Sequence, residues 1–343
     1  MSDRMSSDRT GIVLEIQRLS TEDGPGIRST IFMKGCSLRC QWCHNPESIA
    51  AKPQLQWISS RCIGCRTCIK VCQNSALVFE PFGIEIDRSR CQGCGSCAEA
   101  CPSNALEIMG KHWNAADLAK EVLKDRVYFE KSNGGVTFSG GESTLQYEFV
   151  SDVMQLLKDQ NIHLALDTCG MTSRLALEEL LPLTDLVLYD LKEMDPTGHQ
   201  RHTGQSNERI LETLLYICDV IRKNRQPKVL WIRTPIIPQA TDYPDNLYKI
   251  GRFIHEHCAD VVTRWDLLAF NNLCKDKYAR LGMEWVYSES ELITEEQQEI
   301  LLNAAHKGLP NKELIHWSGN TRFEGHEDQP AAGVPFSLAS GTC

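Results

Sequence analysis

Eleven of the sixteen cysteines in this 343-residue chain fall in three tight runs between Cys36 and Cys101. Cys36, Cys40 and Cys43 form C-x3-C-x2-C, and Cys62, Cys65, Cys68 and Cys72 form C-x2-C-x2-C-x3-C. Cys91, Cys94, Cys97 and Cys101 repeat the second spacing, with Pro102 after the last. The other five, Cys169, Cys218, Cys258, Cys274 and Cys343, are scattered and read as core or surface thiols. Disulfide-rich secreted domains are usually small, and Met1 to Thr10 is polar with no hydrophobic signal core. In a reducing cytoplasm, the expected location, so many thiols point to metal. The 45 acidic residues outnumber the 36 basic ones, for a net charge of −9, which argues against a nucleic-acid partner. No apolar run approaches the ~18 residues of a membrane span.

The two four-cysteine runs are an internal repeat of period 29, in which Arg61-Cys62-Ile63-Gly64-Cys65 matches Arg90-Cys91-Gln92-Gly93-Cys94. Their spacing is that of bacterial ferredoxins, where the fourth cysteine of each run usually ligates the other cluster. One 4Fe–4S cluster would take Cys62, Cys65, Cys68 and Cys101, the other Cys91, Cys94, Cys97 and Cys72. Gln73 stands where a proline usually follows. The alternative is zinc, which more often uses two separated C-x2-C pairs. The three-cysteine run differs, because three thiolates leave one iron of a cubane open to a substrate or cofactor, as in catalytic zinc sites. Its setting, Lys34-Gly35-Cys36-Ser37-Leu38-Arg39-Cys40-Gln41-Trp42-Cys43-His44-Asn45-Pro46-Glu47, resembles the signature of the radical S-adenosylmethionine (AdoMet) superfamily. That resemblance implies AdoMet chelated to the open iron and cleaved by one electron to a 5′-deoxyadenosyl radical.

Outside residues 55–110 the chain alternates strand and helix. Strands are expected at Ser29–Met33, Gly135–Phe138, His163–Leu166, Asp185–Tyr189, Val229–Arg233 and Arg264–Phe270, with amphipathic helices between them. Such alternation means a parallel sheet. Six units suit an α/β partial (β/α)6 TIM-like barrel, the core the superfamily resemblance implies, carrying an inserted dicluster ferredoxin-like domain. The expected organisation is 1–54, first part of the barrel; 55–110, insert; 111–317, remainder of the barrel; 318–343, a mobile tail. Polar motifs follow the strand ends, where chemistry gathers in parallel barrels.

Several motifs together resemble the activating enzymes of glycyl radical enzymes. They are Asp23-Gly24-Pro25-Gly26-Ile27-Arg28, Cys43-His44-Asn45-Pro46-Glu47, Gly134 through Glu142, Asp190-Leu191-Lys192, Thr203-Gly204 and Lys277 through Gly282, in order from about Ile12 to Trp317. The insert resembles the larger members of that family. The resemblance implies that Cys36, Cys40 and Cys43 hold the AdoMet cluster and that Trp42 and His44 flank adenine. It brings Gly140, Gly141 and Glu142 to the methionine amino group, the glycines letting backbone come close. Asp190 and Lys192 would contact ribose or carboxylate, with Arg233 beside them, and a monovalent cation would lie near Asp167 and Asp190. No side chain is assigned as a catalytic acid or base. Asn271 replaces a histidine that often reaches AdoMet, and Ser143 replaces a proline; asparagine donates a hydrogen bond but carries no charge.

The implied activity is hydrogen abstraction from a glycine Cα of a partner glycyl radical enzyme, with flavodoxin or ferredoxin as electron donor. Asp23 is expected either to fix its own turn or to pair with an arginine of the partner's glycine loop. Two alternatives remain at this stage: another ferredoxin-fused radical AdoMet enzyme, such as a peptide maturase or small-molecule mutase, and a non-catalytic electron-transfer protein.

Overall fold

A computed structural model of the chain describes residues 9–321. In chain order its strands are β1 (Thr10–Ser20), β2 (Arg28–Met33), β3 (Gln54–Trp57), β4 (Leu77–Glu80), β5 (Gly83–Ile86), β6 (Leu106–Met109), β7 (Lys111–Asn114), β8 (Gly135–Gly140), β9 (His163–Thr168), β10 (Leu186–Asp190), β11 (Val229–Ile236), β12 (Val262–Ala269) and β13 (Ile315–Ser318). Nine form one open sheet in the order β13-β12-β11-β10-β9-β8-β2-β1-β7. From β2 to β13 every pairing is parallel, whereas β1 runs antiparallel to both β2 and β7.

The six expected strands are β2, β8, β9, β10, β11 and β12. The structure adds a seventh parallel strand, β13, which pairs Ile315 with Trp265. Four residues are too short to declare a strand by pattern; β13 exists because β12 offers it an edge. This also corrects the boundary set for the tail. Ser318 closes β13; residues 1–8 and 322–343, with Cys343, lie outside the described residues. Among the described residues no helix is long and apolar enough to cross a membrane.

Alternation along the strands sorts the side chains. Leu164, Leu166, Val187, Tyr189, Leu230 and Ile232 point outward into two cores shared with the helices. Those helices contribute Val153 and Leu157, Leu214 and Ile217, and Ile250 and Ile254, at helical spacing. The inner face is thin in apolar groups: Ala165, Leu186 and Leu188, flanked by Val229 and Trp231. Lower down it is plugged by Arg28, whose guanidinium donates to Thr137 Oγ1 (2.7 Å) and to the Val136 carbonyl (2.7 Å). On β9, β10 and β11 the inner row continues into Asp167, Asp190 and Arg233.

Residues 54–109 leave the sheet and return to it. They make two antiparallel pairs, β3 with β6 and β4 with β5, and two short helices, Thr67–Val71 and Ser96–Glu99. The sequence repeat is also a repeat of backbone geometry. Gly64 and Gly93, Arg66 and Gly95, and Ser75 and Asn104 all have positive φ, each pair 29 residues apart. The Ala76 and Ala105 amides each donate to a sulfur, Cys72 and Cys101, at 3.3 Å.

Candidate active site

The cysteine loop leaves the end of β2 and is held from three sides. Behind it, the amides of Gly35 and Cys36 donate to the carbonyls of Ser48 (2.7 Å) and Ile49 (3.0 Å). On one flank, Arg39 and Gln41 donate to Thr203 (2.8 Å) and His202 (3.0 Å), at the end of helix Pro196–Thr203. On the other, Tyr278 Oη donates to the Cys43 carbonyl (2.9 Å) and Trp285 Nε1 to that of Gln41 (3.1 Å). These two rings stack with centroids 5.4 Å apart. Lys277 reaches Asn45 Oδ1 (2.7 Å) and the Glu47 carboxylate (2.8 Å). The motifs at Thr203-Gly204 and at Lys277-Tyr278 are therefore clamps on the cysteine loop.

The three cysteines open onto a cavity of about 480 Å³ at the C-terminal end of the sheet. Its wall also includes Trp42, His44, Gly140, Gly141, Asp167, Asp190, Lys192, Arg233 and Asn271. Strand register explains the charged group. Asp190 pairs directly with Arg233, and Asp167 lies beside Leu188, all on the inner face. The Arg233 guanidinium bridges both carboxylates, 3.1 Å from Asp190 Oδ1 and hydrogen-bonded to Asp167, while Lys192 Nζ is 2.6 Å from Asp190 Oδ2. Burial opposes ionisation of Asp190, but Lys192 and Arg233 outweigh it and hold the carboxyl below its usual range. Burial pushes Asp167 up to about 6 against the pull of Arg233. The Arg233 guanidinium lies between the two carboxylates near which the resemblance implies a monovalent cation.

Gly140 and Gly141 pack tightly against the end of β2 and the start of the cysteine loop. Gly140 has φ +112°, and a Cβ there would stand 2.2 Å from the Met33 amide nitrogen. A Cβ on Gly141 would stand 2.2 Å from the Gly35 carbonyl oxygen. Glu142 differs from expectation. Its side chain is fully buried and turned into the protein, not among the residues lining the cavity. Oε1 accepts from the hydroxyls of Thr144 (2.7 Å) and Thr168 (2.8 Å), and Oε2 from the Cys169 amide (2.8 Å). The carboxylate ties the turn after β8 to the turn after β9.

Other positions also gain a specific place. Trp42 is buried in the apolar cluster that also holds Ile237, Phe270, Trp285 and Tyr287, as well as lining the cavity. Burial lowers the pKa of the His44 imidazole from its ordinary value. Asn271 Oδ1 accepts from the Leu273 amide (3.2 Å), leaving its Nδ2 as the group for a ligand. Asp23 fixes its turn, Oδ2 accepting from Ser20 and Thr30 (both 2.6 Å), and it also lines the cavity. Among the wall residues that escaped sequence reasoning, two stand out. Gly319 comes from beyond the expected domain end, and Cys169 is a buried thiol beside Cys36 rather than an ordinary core thiol. The signal for Cys169 was its place directly after the Asp167-Thr168 strand end.

Whether these cysteines suit iron–sulfur clusters can be tested on the donor set. Burial pushes the Cys40 thiol up to about 11 and Cys43 further, so a metal would have to displace their protons. In the insert, Cys62, Cys65, Cys68 and Cys101 line one cavity, and Cys72, Cys91, Cys94 and Cys97 line another. The amide-to-sulfur bonds at Cys72 and Cys101 are of the kind that tune cluster potentials. Among the described residues no three His, Cys, Asp or Glu side chains converge on a single metal ion. Three cysteines on the cavity at the end of the sheet, and four on each insert cavity, are thiol donor sets of the kind iron–sulfur clusters use.

Residues 30–248 match the Radical SAM superfamily model. The chain is 38% identical over 291 residues to the trans-4-hydroxy-L-proline dehydratase activating enzyme of Clostridioides difficile, covering 84% of this chain and 93% of that one. It is 35% identical to the (2S)-3-sulfopropanediol dehydratase activating enzyme of Klebsiella oxytoca, with 82% and 88% covered. To the benzylsuccinate synthase activating enzyme of Thauera aromatica it is 36% identical, with 81% and 84% covered. The chain belongs to the radical SAM superfamily and, within it, to the activating enzymes of glycyl radical enzymes. It is an enzyme that cleaves AdoMet and generates a radical on a partner enzyme.

Proposed function

We propose that the chain holds three 4Fe–4S clusters: one on Cys36, Cys40 and Cys43 with an open iron for AdoMet, one on Cys62, Cys65, Cys68 and Cys101, and one on Cys72, Cys91, Cys94 and Cys97. The barrel is then a partial, open one, and residues 54–109 are a dicluster ferredoxin-like insert. The observation that carries this is the convergence of the three-cysteine loop, the Gly140-Gly141 turn and the Asp167, Asp190, Arg233 and Lys192 group on one cavity. When bound and reduced, the first cluster supplies one electron to the AdoMet sulfonium. The chain's own residues do the placing. Gly140 and Gly141 bring backbone to the methionine amino group, and Lys192, Asp190 and Arg233 receive the carboxylate and ribose. Trp42 and His44 border adenine, and Asn271 donates from Nδ2. Glu142 holds the two turns together. A monovalent cation near Asp167 and Asp190 would compete with the Arg233 guanidinium.

The protein substrate is a glycine loop of a glycyl radical enzyme in the cytoplasm, and the reductant is flavodoxin or ferredoxin. The test is isotope transfer. A partner-derived peptide with α-deuterated glycine should place deuterium in 5′-deoxyadenosine. Deuterium arriving from a small metabolite, and from no peptide or partner protein, would replace this reading with that of a small-molecule radical AdoMet enzyme. Anaerobic reconstitution should yield about twelve irons per chain; a colourless zinc protein would sink the cluster assignment.

A further inference from the structure

The two halves of the insert repeat each other in sequence and backbone, yet they differ in what surrounds them. The second cysteine loop is backed by the barrel. A Cβ on Gly93 would stand 2.4 Å from the Pro53 carbonyl oxygen, in the segment leading out of the barrel. Arg88, three residues before Cys91, donates to the Leu281 carbonyl (3.0 Å), just beyond the helix Lys275–Arg280 that clamps Cys43. The first loop has no such backing. Gly64 and Arg66, the repeat equivalents of Gly93 and Gly95, are both exposed, and a Cβ on Gly64 would meet only Phe79 of the insert itself.

The side chains differ in the same sense. Where the second loop carries Gln92 and Glu99, the first carries Ile63 and Lys70, each pair 29 residues apart. Ile63 is 68% exposed. Phe82 is 95% exposed, at the tip of the β4–β5 hairpin whose Phe79 and Ile84 line the first cysteine cavity. Arg66 lies over the Phe79 ring at 4.5 Å, and among the described residues neither it nor Lys70 has a carboxylate partner. Exposed apolar groups and cations on one half of the insert are the kinds of group from which a docking patch is built.

We propose that Ile63, Phe82, Arg66 and Lys70, around Cys65, form the docking face for a small acidic protein that donates single electrons, while the second cysteine set faces the barrel. This rests on the cluster assignment above. The apolar pair would anchor the partner, and the cations would complement and steer an acidic surface. The chain as a whole carries −9, so a local cationic patch selects against indiscriminate acidic contacts.

The experiment measures association of the anaerobically reconstituted full chain with purified flavodoxin and with a ferredoxin, by calorimetry at low and high salt. The first variants, Ile63→Gln with Lys70→Glu, and separately Phe82→Ser, alter exposed positions. Each should weaken donor binding at least tenfold, most at low salt for the charge reversal, with iron content and AdoMet affinity unchanged. Gln92→Ala with Glu99→Gln, on the other loop, should leave donor affinity as it was. Equal losses from both loops, no loss from the first, or no measurable donor binding by the unmodified chain would overturn the proposal. So would a loss confined to binding of the glycyl radical enzyme, which would give the face to the protein substrate. AdoMet cleavage driven by dithionite separates the two levels. Its absence in the unmodified chain refutes the function, and its persistence in every variant leaves donor docking alone on trial.

Discussion

Glu142→Gln is the sharpest probe of how this site is built. If the carboxylate met AdoMet, the change would lower affinity for the ligand and leave the free protein alone. The structure gives the opposite order of events. Oε1 accepts from the Thr144 and Thr168 hydroxyls and Oε2 from the Cys169 amide, all out of water. Glutamine retains one acceptor oxygen but presents an NH2 group to the other donors. One charge-assisted bond, about 1.5–3 kcal/mol, is lost, and a buried N–H is left facing another donor, which costs about 1–3 kcal/mol more. The loss of about 3–5 kcal/mol is a large part of a typical 5–15 kcal/mol stability. It should lower Tm by roughly 4–7 °C. The assay is thermal unfolding of the anaerobic protein with and without AdoMet, alongside AdoMet affinity. Both should fall, and the drop in Tm should persist without AdoMet. An unchanged Tm with weakened AdoMet binding would refute the reasoning and return the Glu142 side chain to the cavity.

Gly141→Ala should destabilise the turn and weaken AdoMet binding together, because its Cβ would collide with the Gly35 carbonyl; overpacking of this kind costs about 1–3 kcal/mol, visible by thermal unfolding. Arg233→Met removes the guanidinium between Asp167 and Asp190 and should cost about 3–5 kcal/mol as the two buried carboxylates lose their bridge. If a monovalent cation can enter there, potassium or sodium should raise the Tm of this variant more than that of the unmodified chain. Tyr278→Phe deletes the bond to the Cys43 carbonyl and should cost about 0.5–1.5 kcal/mol, with retained iron but weaker AdoMet affinity. Iron chelation should make residues 54–109 protease-sensitive before the barrel. The insert's buried apolar cluster is small, Leu55, Cys68, Leu77, Ile84, Cys97 and Leu106, and two of these are proposed ligands. Simultaneous loss of both parts would show that the insert does not depend on metal for its fold.

What the sequence determined by itself was whatever short-range spacing determines. Each cysteine run sets its own loop, and positive φ at Gly64 and Gly93 follows from a local turn repeated 29 residues later. The inner and outer faces of β9, β10 and β11 follow from a period of two, so Asp167, Asp190 and Arg233 were legible as strand-end groups on one rim. The tertiary structure decided what depends on registration between distant segments. Parallel pairing sets Asp190 beside Arg233, 43 residues on, and makes their charges neutralise each other. The Glu142 carboxylate turned inward because four donors from two turns await it there, a fact no pattern around Gly140-Gly141-Glu142 contains. Likewise β13 is too short to form alone and exists through the free edge of β12. Local backbone preference acts over a few residues and is written in composition and spacing. Hydrogen bonds between segments tens of residues apart acquire partners only when the sheet has brought them together.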